Sequence, residues 1–228
     1  MNPDWRYERI TDANSDTYVR EHFDAPISDL FMSLQDPILR ADLLRYLVLL
    51  REGGVWADID VYPHRPVSKW VPEQYQDWVN LVIGIENDHY KIWPGSPYSV
   101  QLCQYTVLAK PNHAALRMAV NQVTRDLGEL LASKGPEETF TFEDVMTTAG
   151  PFAFTHVIMG YFKEMMGVEY TGHELDRLEE PRLVGDVLVL PRDSFRWLPH
   201  DNSHKEGDPS ILVEHLFMGS WRPPIPRL

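Results

Sequence analysis

Residues 37–60 read PILRADLLRYLVLLREGGVWADID, and this stretch predicts a helix, a tight turn and a strand in direct succession. We expect the helix from Pro37 to Glu52, because Asp36 is a suitable N-cap, proline fits the first helical position and Gly53-Gly54 can end the helix. The helix interior is apolar on nearly every face, which is typical of a buried helix. Val55–Ala57 then predicts a short buried strand that ends at a pair of aspartates.

The remaining sequence predicts strands and helices in alternation, as in an α/β domain. The other expected strands are Trp5–Thr11, Leu81–Ile85 and Val187–Leu190, and the other expected helices are Ser15–His22, Tyr98–Leu108, Asn112–Ala132 and Phe152–Met166. No flexible spacer, low-complexity tract or repeat interrupts this pattern. The sequence therefore predicts one domain over residues 1–228, with a loop-rich C-terminal tail.

The charge balance is strongly acidic, with 21 Lys and Arg against 34 Asp and Glu and a formal net charge of −13. No basic stripe interrupts it, so the composition argues against nucleic acid as a partner. A protein of this charge that binds a diphosphate needs a divalent cation or a few focused basic residues at that point. The sequence also has no apolar run long enough for a membrane span and no signal peptide at its start.

Asp58 and Asp60 form the one Asp-x-Asp pair in the chain, and they follow directly on a predicted strand. Hard cations such as Mn²⁺ and Mg²⁺ take oxygen ligands, so such a pair can hold a metal while one carboxylate faces a bound sugar nucleotide. Two aspartates in a solvated turn are the alternative. In open α/β sheets ligands bind at the carboxyl ends of strands, where this pair is expected to lie.

Asp42 and Arg45 lie three residues apart on the preceding helix and therefore share one face of it. A structural ion pair on a buried helix is one interpretation. The other is a ligand site, in which the carboxylate accepts hydrogen bonds from sugar hydroxyls and the guanidinium binds sugar or diphosphate oxygens. The glycine turn that follows would bring both groups close to the Asp-x-Asp pair.

Taken together, residues 38–60 closely resemble the signature of the glycosyltransferases that share a DXD-containing sugar-binding region, family 32 in particular. The order D-x-x-R-Y, G-G and aromatic-x-D-x-D is similar to the retaining fungal α-1,6-mannosyltransferases, and more distantly to the large clostridial glucosylating toxins. Later blocks resemble the fungal group in the same order, and they are Gly84–Asp88, Leu102–Arg117, Ala149–Pro151 and Val213–Trp221. The resemblance implies a GT-A fold, a nucleotide-sugar donor, GDP-mannose first, a glycan acceptor, and Mn²⁺ with Mg²⁺ as the alternative.

The resemblance also implies roles for individual residues. It places Asp42 and Arg45 against the donor sugar or phosphate, Asp58 against the ribose or sugar, and Asp60 and His215 on the metal. Arg45, Asp58 and Asp60 are then the catalytic candidates. In the same tail, Ser220 and Trp221 would bind the diphosphate, with packing of the tail on the core as the alternative. Glu86 and Asp88 follow the predicted strand Leu81–Ile85. They would contact an acceptor, although a solvated turn is the preferred interpretation.

One departure from the family concerns the start of the chain. Members normally begin with a strand of the nucleotide site, preceded in the fungal enzymes by a membrane anchor, and the sequence shows neither. The resemblance implies a lumenal catalytic domain at the Golgi membrane, reached through that anchor. Since a core strand is missing from the expected pattern, a truncated and non-catalytic sugar- or nucleotide-binding relative is an alternative function.

A phosphatase of the haloacid dehalogenase kind is the other alternative, because an apolar strand followed by DIDV resembles the nucleophile motif of that class. That class also needs a later G-D-x-x-x-D motif. Here Gly185-Asp186 is followed four residues on by Leu190, so the second motif fails.

Overall fold

The computed structural model describes residues 1–88, 96–134, 139–196 and 207–219. The helices are α1 Asp12–His22, α2 Ala25–Ser33, α3 Pro37–Glu52, α4 Ala114–Ser133, α5 Phe142–Thr148, α6 Pro151–Met166 and α7 Arg192–Arg196. The strands are β1 Gly54–Ala57, β2 Val61–Pro63, β3 Leu81–Asn87, β4 Gln101–Ala109, β5 Arg182–Val184, β6 Val187–Leu190 and β7 Val213–His215. The α/β class predicted from the sequence is confirmed.

Five of the strands form one mixed sheet in the order β1-β4-β3-β6-β5. β3 and β6 run parallel, and the other neighbouring pairs are antiparallel. Since β4 runs against both β1 and β3, strands β1, β3 and β6 all point the same way and their carboxyl ends lie at one end of the sheet. β2 and β7 form a separate two-stranded ribbon.

The sheet has a different apolar layer on each face. α3, α4 and α6 cover one face, where Tyr46, Phe154 and Phe162 are among the largest fully buried side chains. α7, the β2–β7 ribbon and a 3₁₀ turn at Val67–Lys69 cover the other face around Trp70 and Phe195. The central strands are therefore buried on both sides. Within the residues described, no helix is both long and apolar enough to cross a membrane.

The turn from α3 into β1 sets the position of the candidate site. Asp36 caps α3 by accepting a hydrogen bond from the Ile38 amide at 2.9 Å, an interaction that stabilises a helix by about 1 kcal/mol. Gly53 ends the helix at φ 67°, and a Cβ there would lie 2.6 Å from the Pro111 nitrogen. Gly54 follows at φ 83°, so the helix and the strand are joined without an intervening loop.

Most of the predicted elements are confirmed, including the helix Pro37–Glu52 with its cap and the strand that follows it. The predicted burial of that strand is wrong, because β1 lies at the edge of the sheet and is partly exposed. The predicted helix Tyr98–Leu108 is wrong, because most of this segment is β4. β4 has hydrogen-bonded neighbours on both sides and buried side chains on both faces, so its sequence, QLCQYTVLA, shows no alternation of apolar and polar residues. The predicted strand Trp5–Thr11 is also wrong, since these residues are in irregular structure and largely exposed.

Candidate functional site

Arg45 lies at the centre of the acidic cluster that the sequence predicted. Its Nη1 donates to Asp42 Oδ1 at 2.7 Å, and its Nη2 donates to Asp58 Oδ1 and Oδ2 at 3.1 and 3.2 Å. Asp42 shares a face of α3 with Arg45, whereas Asp58 is brought back to the helix by the glycine turn and β1. One guanidinium therefore joins two carboxylates from successive elements of the fold.

The three side chains differ sharply in burial. Asp42 and Arg45 are 1% and 2% exposed, whereas Asp58 is 28% exposed. Burial raises the pKa of Asp42 to about 6, although Arg45 works in the opposite direction. Burial also disfavours the charge on Arg45, but Asp58 and Asp42 hold the pKa of its guanidinium above the ordinary value. Arg45 therefore stays charged, and Asp58 is the member of the cluster that a ligand can reach most directly.

Two buried polar atoms of this cluster have no hydrogen-bond partner within the described parts of the chain, and they are Asp42 Oδ2 and Arg45 Nε. An unsatisfied buried group of this kind typically costs about 1–3 kcal/mol. One atom is an acceptor and the other a donor, so a ligand with hydroxyl groups, which both donate and accept, could satisfy both. The cluster therefore has the properties expected of a binding site more than those of a purely structural ion pair.

Trp56 is part of the same site, and sequence reasoning did not assign it a role. Its indole Nε1 donates to Asp58 Oδ1 at 2.7 Å, and its ring lies 5.7 Å from the Arg45 guanidinium carbon. Trp56 thus orients Asp58 directly and packs against the guanidinium that also binds it. The aromatic residue two positions before the Asp-x-Asp pair was the available signal, because alternate residues of a strand point to the same side.

Asp60 and His215 are brought together by the β2–β7 ribbon, in which Val61 pairs with His215. His215 Nε2 lies 3.3 Å from Asp60 Oδ2. The Leu216 amide donates to the Asp60 carbonyl oxygen at 3.0 Å, and the Met218 amide donates to Asp60 Oδ2 at 3.1 Å. The carboxylate and the imidazole, which are far apart in sequence, thus form one cluster.

The His215 ring is held between aromatic side chains. It stacks on Tyr105 with the ring centroids 3.8 Å apart, and it lies 4.0 Å from the Phe217 ring. Burial lowers the pKa of His215, although Asp60 and Asp58 oppose this. The imidazole is therefore neutral near pH 7, which is the form that binds metals. Its Nδ1 is buried and has no hydrogen-bond partner among the residues described.

The chemistry of Asp60 and His215 fits a divalent cation of the Mn²⁺ type. A carboxylate oxygen and a neutral imidazole nitrogen are both suitable ligands for such an ion. The described residues contain no group of three or more His, Cys, Asp and Glu side chains that could hold a metal. Cations of this kind are commonly held by one or two protein groups together with substrate phosphates and water. The pair therefore suits a cation that is shared with a bound diphosphate.

Glu86 and Asp88 are not in a solvated turn, so the preferred interpretation of these residues is wrong. Glu86 is the penultimate residue of β3 and accepts a hydrogen bond at 2.6 Å from the buried amide of Gln101. The Asp88 carboxylate is 12% exposed and lies 3.8 Å from Arg192. Pairing with β4 and packing under α7 produce this burial. The predicted site residues Ser220 and Trp221 lie outside the described residues.

Comparison with known proteins agrees with the geometry. Residues 1–77 match the family described as "Glycosyltransferase sugar-binding region containing DXD motif". The initiation-specific α-1,6-mannosyltransferase of Schizosaccharomyces pombe is 34% identical over 97% of this chain and 57% of its own length. The enzyme of the same name from Saccharomyces cerevisiae is 30% identical over 97% of this chain and 71% of its own length.

The chain spans somewhat more than half of the length of the S. pombe relative. Among solved structures, PaToxG glycosyltransferase matches 68% of this chain and 46% of its own with a TM-score of 0.43 and 17% identity. The matches to the yeast proteins extend over both halves of the site, since 97% coverage includes the stretch around Asp42 and the ribbon around His215.

Proposed function

Because the chain belongs to the family of DXD-containing glycosyltransferases that includes the initiation-specific α-1,6-mannosyltransferases of yeasts, we propose that it transfers mannose from GDP-mannose to a glycan acceptor with retention of configuration. The observation that carries the proposal is the pair of adjoining clusters, Arg45 with Asp42 and Asp58, and Asp60 with His215. The first presents polar atoms for a sugar, and the second presents ligands for a metal. Family membership leaves the phosphatase alternative without support.

In this proposal Asp60 and His215 hold Mn²⁺, with Mg²⁺ as the alternative ion. The cation would neutralise charge on the diphosphate, which otherwise faces a protein of net charge −13. The Met218 amide and the aromatic rings around His215 hold both ligands in place. Fixed ligands lower the reorganisation that accompanies binding.

Asp58 would bind hydroxyl groups of the donor, because it is the exposed carboxylate of its cluster and is oriented by Arg45 and Trp56. Asp42 would accept a hydrogen bond from a sugar hydroxyl at Oδ2, which has no partner among the described residues, and Arg45 would hold its charge near the sugar–phosphate bond. Ser220 and Trp221 remain candidates for contact with the diphosphate. Each of these roles is a proposal for the donor-bound protein.

We assign no nucleophile to the protein. Cleavage of the bond between sugar and diphosphate develops negative charge on the leaving group, and the positive charge of Arg45 stabilises it. The acceptor hydroxyl would attack from the face that the diphosphate leaves, and binding of both substrates in one orientation supplies much of the rate. We propose the glycan acceptor and a lumenal location at the Golgi membrane because of the similarity to the yeast mannosyltransferases.

The test is a thermal unfolding series with GDP, GDP-mannose, UDP and UDP-glucose, each with Mn²⁺ and with EDTA. A ligand at about 100 times its Kd stabilises the folded state by ~2.7 kcal/mol, which corresponds to a rise in Tm of roughly 5–10 °C for a chain of this size. We expect this rise in Tm with GDP and with GDP-mannose, and only when Mn²⁺ is present. Asp60→Asn should abolish it, whereas Asp77→Asn, at an exposed position away from the site, should keep it.

Transfer of radiolabelled mannose from GDP-mannose to a mannose oligosaccharide is measured on the same preparations. Turnover by the parent and its loss in Asp60→Asn support the proposal. A nucleotide-dependent rise in Tm without turnover would favour the non-catalytic relative. A folded parent whose Tm responds to none of the four nucleotides contradicts a working donor site.

A further inference from the structure

A buried chain of hydrogen bonds leads from the donor cluster into the helical layer. Gln104, on β4, donates from its Nε2 to Asp42 Oδ1 at 3.1 Å. Its Oε1 accepts the hydroxyl proton of Tyr46, which belongs to α3. All three side chains are buried. Arg45 and the neutral Gln104 amide thus donate to the same oxygen of Asp42.

The Tyr46 hydroxyl connects this chain to the Ala149–Pro151 block of the sequence. It lies 2.9 Å from the carbonyl oxygen of Ala149, at the junction of α5 and α6. The junction is tightly packed, because a Cβ on Gly150 would lie 2.8 Å from the Val145 carbonyl oxygen. The carbonyl is therefore fixed in position. A tyrosine hydroxyl has one proton to donate, so Ala149 and Gln104 compete for it.

These contacts determine which way the Gln104 amide faces. With Nε2 toward Asp42 and Oε1 toward Tyr46, the amide donates to a carboxylate and accepts from a hydroxyl. The reverse orientation would set the amide oxygen against the carboxylate, and Tyr46 would have to give its proton to Ala149 and accept from the amide. Asp42 and Tyr46 together therefore orient Gln104, and Gln104 in turn helps to hold Asp42.

We propose that Gln104 and Tyr46 are positioning residues of the donor site, which keep Asp42 ionised and aimed at Arg45 so that Arg45 stays directed at Asp58. Only the catalytic readout of this inference rests on the proposed function. Neither residue reaches the ligand side of the cluster. Their effect is transmitted through Asp42, the carboxylate with an oxygen that lacks a partner among the described residues.

The groups that face Asp42 come from three elements. Arg45 and Tyr46 face it from α3, Asp58 faces it from the loop after β1, and Gln104 faces it from β4. Burial raises the pKa of Asp42 to about 6, and the Gln104 amide is one of the groups that limit this rise. Removal of the amide donor should therefore raise the pKa of Asp42 further, and the carboxylate should protonate at a higher pH as the solution is acidified.

The experiment compares pH profiles of kcat/KM for mannose transfer by the parent and by Gln104→Leu. We expect a loss of about fivefold at pH 6 and of less than about twofold at pH 8, since a hydrogen bond to a charged group shifts its pKa by about one unit. Tyr46→Phe keeps the amide but removes one of the two groups that orient it, so its shift should be smaller and in the same direction. If Gln104→Leu does not fold, Tyr46→Phe is the variant that decides.

Thr106→Val is the matched control, because Thr106 is a fully buried residue of the same strand whose hydroxyl has no partner within the described chain. Its profile should coincide with that of the parent. A loss in Gln104→Leu that is equal at pH 6 and pH 8 would show a merely structural role and overturn the inference.

A second readout does not depend on transferase activity. The Asp42 carboxyl carbon is followed by NMR during a pH titration of aspartate-labelled protein, with Asp42→Asn used to assign the signal. A higher midpoint in Gln104→Leu than in the parent supports positioning even if the parent transfers no mannose. An unchanged midpoint overturns the inference, whether or not the proposed function holds.

Discussion

Two polar clusters lie at opposite ends of the sheet, and they differ in how completely their hydrogen bonds are satisfied. At the carboxyl end of β1, Asp42 is almost fully buried and has one oxygen without a partner among the residues described. At the amino ends of β3 and β6, Asp186 accepts from Asn80 at 2.9 Å and from His113 at 3.2 Å on one oxygen, and from the Tyr161 hydroxyl at 2.8 Å on the other.

The difference appears in the pKa values of the two carboxyl groups. Burial raises the pKa of Asp42 to about 6. Burial acts in the same direction on Asp186, but hydrogen bonds from Asn80, Tyr161 and His113 hold its pKa below the ordinary value. The Asp186 cluster stabilises the fold by joining β3, β6, α4 and α6. The Asp42 cluster keeps a buried carboxylate with one oxygen that has no partner among the residues described, at the end of the sheet where a ligand is expected.

Arg45→Met has the largest expected effect on the free energy of unfolding, and its outcome could contradict this comparison. The change leaves two carboxylates without their shared cation, and removal of one partner of a buried ion pair typically costs about 3–5 kcal/mol. We expect that loss in the free energy of unfolding at pH 8, measured by urea denaturation, together with loss of the nucleotide-dependent rise in Tm. The loss of stability should shrink at pH 5, because Asp42 is then protonated in the variant.

Arg51→Met is the control, since Arg51 is exposed on the same helix. It should change the free energy of unfolding by less than about 0.5 kcal/mol. Equal losses in the two variants would mean that the charges around Asp42 do not matter to stability, and the comparison would fail.

A smaller effect is expected from Asp186→Asn, which would sharpen the comparison. The asparagine amide keeps one acceptor oxygen, but its N–H groups would face donors that bond to the carboxylate in the parent protein. We expect a loss of roughly 2–3 kcal/mol in the free energy of unfolding. The rise in Tm with GDP and Mn²⁺ should be retained, because the site lies at the other end of the sheet. Glu129→Gln, exposed on α4, should change neither quantity.

The smallest effect concerns the pH dependence of stability at the Asp186 end. His113 accepts the Ala115 amide at 3.2 Å and caps α4, and burial lowers the pKa of its imidazole although Asp186 opposes this. Since the unfolded chain takes up this proton first, the free energy of unfolding should fall as pH drops below about 6.5.

His113→Asn keeps a residue that caps helices well and removes the titration. We expect a loss of about 1 kcal/mol at pH 7, from the missing contact with Asp186, and a shallower decline between pH 7 and pH 5. Urea denaturation at several pH values measures both. A decline as steep as that of the parent would show that other groups cause it.

Sequence reasoning predicted the residues of the candidate site that lie close together in the chain, and only some of those that lie far apart. Asp42, Arg45 and Asp58 are joined by a helix, a glycine turn and a strand whose signals are all local, so their proximity could be predicted. His215 was found through resemblance, because its position depends on the pairing of β7 with β2 and no local pattern contains that information. Gln104 was missed because β4 was interpreted as a helix, which hid the face that it shares with α3.

The spacing of these contacts along the chain has a consequence for how the protein folds. The Arg45–Asp58 contact closes a loop of 13 residues, whereas the hydrogen bond from the Met218 amide to Asp60 closes one of 158. Closure of the longer loop carries the larger entropic cost and is slower. The cluster around Arg45 should therefore assemble early from neighbouring segments, whereas Asp60 and His215 should meet only when β7 pairs with β2.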